Sequence, residues 1–253
     1  MKKKVLIFGA SSFLAQNYIK FDNNNKLFCI NKSKKVHLIK KNNATYKIVK
    51  NLTVKSIRNL VIENKIDIII NFISNNNNKF DTKNDNIKIF KDNILPSLKL
   101  VEAMKSYIIK YIYFDSHEIN KKKNTIYKLS KTILSQLNEY YKKKYKVKII
   151  KISLPTVLGK YDRNNKRLLP LISRNKRLLF PNQNVNFSFA DDVVASIRRH
   201  INNGKKIKIR LYKKKASYFE NQLQKLRNKE KIDNSLVGEK VNDILLFYKN
   251  FKV

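Results

Sequence analysis

Apolar residues arrive as short continuous runs that alternate with helically spaced stretches over roughly the first 155 positions. Residues 5–8, Val-Leu-Ile-Phe, form a β-branched and aromatic run ending at Gly9, which predicts a buried strand. Residues 13–19 have helical spacing. Strands follow at 27–30 and 46–49, then an amphipathic helix at 53–63. The run 67–73, Asp-Ile-Ile-Ile-Asn-Phe-Ile, reads as a strand covered on both faces. A polar, asparagine-rich loop at 75–86 leads to a long helix at 87–106 carrying Pro96. A strand at 110–114, a helix at 126–145 and a strand at 147–152 come next, the last closing at Pro155 and Gly159. Repeated βα units imply a parallel sheet with helices on both faces.

Beyond residue 160 the pattern loosens. Helices are expected at 168–174, 190–200, 218–227 and 241–251, and short strands at 186–189 and 207–212. No internal repeat or linker interrupts the chain. The basic start Met1-Lys-Lys-Lys and the small residue Ala15 give the N-terminus a superficial likeness to a secretory signal. Its continuous apolar stretch is only four residues long before Gly9, Ser11 and Ser12 intervene, so a strand is the better reading.

Strand, small-residue turn and helix is the layout of a mononucleotide-binding βα unit, in which a pyrophosphate rests on the free N–H groups of the helix N-terminus. A Gly-x-x-Gly-x-x-Gly loop would place glycines at 9, 12 and 15; this chain has Gly9, Ser12 and Ala15. The expected fold is therefore α/β, a Rossmann-like doubly wound parallel sheet with a small C-terminal substrate lobe. Residues 1–160 form the dinucleotide-binding unit, and residues 161–253 a small α/β lobe completing the sheet.

Composition changes this picture little. The 253 residues include 56 Lys+Arg against 18 Asp+Glu, a formal charge of +38, which on its own points to nucleic acid or an anionic surface. Yet the chain has 47 Lys, 34 Asn and 31 Ile with only 9 Arg, and base-edge readers favour Arg for its bidentate fork. Lys, Asn and Ile share A/T-rich codons, so codon drift accounts for the charge and no specific nucleic-acid partner is expected. Lysine runs such as 121–123, 142–144 and 213–215 read as solvated faces or loops. A single cysteine, Cys29, excludes a disulfide framework or a multi-cysteine metal site and reads as a buried small apolar residue. No apolar run reaches the ~18–20 residues of a membrane span, so a cytoplasmic protein without membrane insertion is expected. His37 and His200 have no ligand-spaced partner, and Asp191 and Asp192 read as helix N-capping residues.

In doubly wound sheets ligands sit beyond the carboxyl ends of the strands. The strand 110–114 runs into Asp115-Ser116-His117-Glu118, and Tyr127 and Lys131 follow on the next helix. Positions i and i+4 share a helix face, so both would point into the crevice. An ammonium beside a phenol favours the phenolate, and the pair can then act as acid or base at a carbinol or carbonyl oxygen while Ser116 hydrogen-bonds that oxygen. The spacing alone carries little, since 13 Tyr and 47 Lys give about 2.4 such pairs by chance. Context selects Tyr127/Lys131 over Tyr46/Lys50, which falls on a predicted strand, and over Tyr140/Lys144, late in its helix.

The order of these features resembles the extended short-chain dehydrogenase/reductase family of nucleotide-sugar epimerases, dehydratases and reductases, over about residues 4–200. The segment 9–15, Gly-Ala-Ser-Ser-Phe-Leu-Ala, is similar to that family's Gly-Ala-Ser-Gly-Phe-Leu-Gly, less two glycines. Asn71-Phe72-Ile73-Ser74 sits where the family has Asn-x-Ala-Ala, Asn93 at its helix asparagine, and Ser116, Tyr127 and Lys131 at its catalytic triad. Segments 154–159 and 189–193 resemble its Leu-Pro-Asn-Val-Tyr-Gly and Val-x-Asp-Asp-Val stretches.

The resemblance implies hydride transfer through a nicotinamide dinucleotide, with Tyr127 as acid/base and Lys131 also on the nicotinamide ribose. It implies cofactor contacts from Gly9, Ser11, Ser12, Phe13, Leu14, Asn31, Lys32, Ser33, Asn51, Leu52, Phe72, Ile73, Ser74, Asn93, Tyr127, Lys131 and Pro155, and substrate contacts from His117, Glu118 and Thr156. His117 replaces the acid that family dehydratases carry there, which disfavours dehydration. No metal is implied. The end of the second predicted strand, Asn31-Lys32-Ser33-Lys34, offers cations and no carboxylate, which favours NADP(H) over NAD(H). The expected partner is a nucleotide-sugar substrate, with homodimerisation through 87–106 and 126–145 and a place in polysaccharide biosynthesis. The alternatives are a catalytically degraded dinucleotide-binding protein of the same fold or, on charge alone, a basic nucleic-acid-binding protein.

Overall fold

The computed structural model describes residues 2–32, 38–75, 83–107, 109–117, 125–162, 167–174, 176 and 178–250. Six strands, β1 (Lys4–Phe8), β2 (Lys26–Asn31), β3 (Ala44–Ile48), β4 (Ile68–Asn71), β5 (Lys110–Ser116) and β6 (Lys148–Leu154), form one sheet in the order β3-β2-β1-β4-β5-β6. Every neighbouring pair is parallel. The helices α1 (Phe13–Phe21), α2 (Val54–Asn64), α3 (Lys83–Met104) and α4 (Ile126–Tyr145) flank it. The order reverses between β1 and β4, so a crevice opens beyond their carboxyl ends.

Side chains alternate along each strand, and the alternation sorts the sheet into two cores. Val5, Ile7, Leu27, Ile70 and Ile112 face one way; Leu6, Phe8, Ile69, Tyr111 and Tyr113 face the other, under α2, α3 and α4. The first face is roofed by α1 and by a helix from much later in the chain, α6 (Ala190–Asn203), whose Val193, Val194 and Ile197 are fully buried against it.

The remaining strands, β7 (Thr156–Leu158), β8 (Asn184–Phe189) and β9 (Tyr212–Lys215), make a separate sheet in the order β7-β8-β9. The segment after residue 160 therefore does not complete the main sheet, as the sequence suggested; it adds α6 to that sheet's face and builds its strands elsewhere. The helices α5 (Leu168–Ser173), α7 (Ala216–Asn228) and α8 (Leu236–Asn250) pack on the second sheet. Phe187 sits at its centre, with ring centroids of Phe189, Phe219 and Tyr212 at 5.4, 5.4 and 5.6 Å.

The strand expected at 207–212 is also corrected. Ile207 and Ile209 pack on the first core without ladder partners among the described residues. The antiparallel ladder with β8 instead uses Tyr212 to Lys215, residues whose charge suggested a solvated loop. Nor do Asp191 and Asp192 cap α6, because Phe189 holds the N-cap position. They lie in the first turn, where acidic groups suit the helix dipole, and both pair with Lys240 of α8 at 3.0 and 2.7 Å.

A polar knot fixes the opposite end of the main sheet. The ammonium of Lys41 donates to the carbonyls of Ile19, Lys20 and Asp22 at 3.0, 2.8 and 2.8 Å, capping the end of α1 with a cation. The buried Asp22 carboxylate accepts from the backbone and side chain of Asn25.

Candidate active site

A cleft of about 930 Å³ opens between the carboxyl ends of the main-sheet strands and the second sheet. Its inner edge is the β1–α1 turn. Gly9 adopts a left-handed backbone, φ +71°, and a Cβ there would lie 2.9 Å from Ile73 N and 3.0 Å from Phe72 C. The turn can pass this close to the end of β4 only because position 9 has no side chain. Ser12, by contrast, has φ −68° and ψ 151°, an extended conformation any residue adopts, so serine in place of the family's glycine costs nothing in backbone strain. Its hydroxyl accepts from Ala15 N at 3.3 Å, making it the N-cap of α1. Asn31, at the end of β2, accepts from Ser11 N at 3.0 Å, and Ala10 N donates to Ile30 O. With those amides engaged, Phe13 and Leu14, at the first two helical positions and both lining the cleft, carry the N–H groups that have no intrahelical acceptor. Free N–H groups at a helix N-terminus favour an anion. Phe72 and Phe114, stacked at 4.8 Å, also line the cleft.

The outer end is built by β5 and α4. Thr125 caps α4 by accepting from Lys128 N at 3.1 Å, which places Tyr127 and Lys131 one turn apart at the start of the helix. Lys131 Nζ lies 5.7 Å from the Tyr127 ring centroid and donates to Phe114 O at 3.0 Å. Ser116, Tyr127 and Lys131 all line the cleft. Lys131 is only 3 % exposed, and burial lowers its pKa to about 8, against an opposing pull from Asp115. At neutral pH it remains an ammonium held beside a phenol.

The other expected site residues divide. Ser74, His117, Pro155 and Thr156 line the cleft. Asn31 and Asn93 are buried as ties instead. Asn93 Oδ1 accepts from Asn75 N at 2.7 Å and its Nδ2 donates to Ser130 Oγ at 2.9 Å, while Ser130 Oγ donates to Tyr127 O at 2.7 Å. Asn93 thus fixes the loop after β4 and the first turn of α4 in one network. Asn51 and Leu52 lie between β3 and α2, outside the cleft lining. Ile73 packs behind Gly9, and Lys32 is exposed past β2. Ser33, Lys34, His37 and Glu118 lie outside the described residues.

Sequence reasoning missed two features. Arg167 lines the cleft, pairs with Asp162 at 3.1 Å and lies 5.0 Å from the Phe13 ring centroid; its role depends on β7 and α5 folding back over α1, which no local pattern signals. Asp115 was passed over as the neighbour of Ser116, yet it is 7 % exposed and lines the same cleft. The buried Cys29 thiol is pushed up to about 12 by burial, as an inert core residue would be.

The model of the NAD dependent epimerase/dehydratase family matches residues 5–211. Among curated proteins none matches the sequence. Solved structures resemble the fold closely. The Bordetella bronchiseptica enzyme WbmH in complex with NAD+ aligns with a TM-score of 0.80 at 13 % identity, covering 100 % of both chains. UDP-glucose 4-epimerase from Thermotoga maritima with UDP-glucose gives 0.80 at 11 %, covering 97 % of this chain and 98 % of the other. UDP-glucuronic acid 4-epimerase from Bacillus cereus in complex with NAD gives 0.77 at 14 %, covering 97 % and 96 %. Among the described residues no helix is long and apolar enough to cross a membrane.

Proposed function

The chain belongs to the NAD dependent epimerase/dehydratase family, and on that footing we propose that it is an epimerase, reductase or dehydratase of a nucleotide-linked sugar, with Tyr127 as acid/base. The observation that carries this is the convergence of Ser116, Tyr127 and Lys131 on the cleft that also takes the N-terminus of α1. A nicotinamide dinucleotide bound there would accept and return hydride. The first turn of α1, with Phe13 and Leu14, would hold its pyrophosphate. Tyr127 takes or gives the proton at the substrate oxygen, Ser116 hydrogen-bonds that oxygen, and the Lys131 charge favours the phenolate. Leu179 and Phe180, 88 % and 69 % exposed, stand at the far wall of the cleft and suit the base of a nucleotide better than open water. His117 in place of a carboxylic acid supports epimerisation or reduction over dehydration.

For cofactor choice we favour NADP, on the exposed Lys32 beyond β2 and the absence of a carboxylate on Asn31; tighter binding of NADH than NADPH in a titration would reverse it. Exposed Ile87, Leu95 and Leu129 on α3 and α4 support a homodimer through these helices. We also propose a place in polysaccharide biosynthesis, in the cytoplasm; glycosyltransferase genes beside its own would support it. The decisive test is Tyr127→Phe, assayed on a panel of nucleotide sugars. Turnover should fall by roughly 10²–10⁴-fold while dinucleotide affinity is kept. Retained turnover would refute the assignment, and an inactive parent protein that still binds dinucleotide would favour a binding protein of the same fold.

A further inference from the structure

Lys131 occupies an unfavourable place for a charge. Its side chain is almost completely enclosed, and the hydrogen bond that anchors Nζ goes to Phe114 O, the carbonyl of the peptide unit joining Phe114 to Asp115. An ammonium removed from water loses far more than one neutral acceptor returns. A carboxylate shares this wall of the cleft with Lys131: Asp115 leaves β5 on the face that packs against α4, is itself buried, and has its Oδ1 fixed by accepting from Ser116 N at 2.9 Å. Among the described residues the charged and titratable groups around this pair are few. Tyr127 faces it from α4, Tyr113 from β5, His117 from just beyond β5, and Lys151 from β6, 3.9 Å from Asp115 Oδ2. Among the described residues Asp115 is the one carboxylate whose charge acts on Lys131.

We propose that Asp115 is a positioning residue that keeps the Lys131 ammonium charged in its buried seat, and through it sets the pH range over which the Tyr127 phenol is primed. The role in catalysis rests on the acid/base reading above; the coupling between the two side chains does not. Burial raises the Asp115 pKa, with Lys151 and Lys131 opposing that rise, so the carboxylate and ammonium hold each other in the charged form. Asp115→Asn separates charge from architecture, since the amide oxygen still accepts from Ser116 N.

The test measures the pH dependence of cyanate labelling at Lys131, read by mass spectrometry on the peptide containing residue 131, in the full-length protein and D115N. The parent midpoint should lie near pH 8, and D115N should lower it by roughly one pH unit. At pH 7.5 that leaves about threefold less of the charged form. The kcat/KM profile should shift in the same direction, with KM little changed. A midpoint unmoved in D115N, or in Asp115→Ser should D115N fail to fold, overturns the proposal whatever happens to turnover. A shifted midpoint in a protein that turns nothing over leaves the coupling standing and removes the acid/base reading instead.

Discussion

Replacing Gly9 with alanine tests whether the β1–α1 turn is held as tightly as its geometry indicates. Two costs add. An L-residue at φ +71° costs about 1–2 kcal/mol. The new methyl also lands 2.9 Å from Ile73 N and 3.0 Å from Phe72 C, backbone atoms that cannot swing aside as a side-chain tip could. Phe72 N is tied to Phe8 O at 2.9 Å, so retreat of this segment breaks a bond at the end of the sheet; overpacking of this kind costs about 1–3 kcal/mol. The expected loss is about 3 kcal/mol. Gly204, at φ +68° with nothing within 4 Å of a Cβ, is the internal control, and Gly204→Ala should lose only about 1 kcal/mol. Urea unfolding of both variants with matched slopes measures the difference. Dinucleotide affinity should also fall in G9A and not in G204A, because a displaced turn carries Ser12 and Phe13 with it. Equal losses in the two variants would show that residues 72–73 yield freely and that the turn is not tightly held.

Lys131→Met probes the buried charge through stability. The lysine is pushed down from 10.5 to about 8 by burial. Between those values the unfolded chain holds a proton that the folded one lacks, so this residue's contribution becomes more favourable as pH rises. The stability of the parent relative to K131M should therefore climb by about 3 kcal/mol from pH 8 to 10.5, and a flat difference would contradict the burial. Lys41→Met removes a cation shared by three carbonyls at the end of α1 and should cost about 1–2 kcal/mol, measured by thermal unfolding; no loss would show those carbonyls equally well served by water.

The central strands β1, β4 and β5 were legible because they are buried on both faces, so their apolar runs carry the signal without context. α4 was legible to the residue, since Thr125 is a capping type set before an amphipathic stretch. The failures share one cause, dependence on partners distant in sequence. β7 is three residues long and exists because β8 lies beside it from thirty positions on. β9 is a lysine run that becomes a strand by pairing with β8, its Lys214 resting 4.5 Å from the Tyr218 ring centroid. Within the site, Ser116, Tyr127 and Lys131 could be read from their order after a strand. Asp115 could not, because a carboxylate beside a strand end looks solvated until β5 is laid against α4. Asn31 and Asn93 were recognised by position, but their amides serve the scaffold of the cleft.

The roof that α6 lays over Val5, Ile7 and Ile70 has a consequence for synthesis. A nascent chain that has emerged from the ribosome only as far as β6 has made all six strands of its main sheet and still shows water the part of one face that α1 leaves uncovered. That side closes when residues 190–203 arrive, after the second sheet has begun. A fragment stopping near residue 160 should therefore expose apolar surface that the whole chain covers, the kind of surface that invites aggregation.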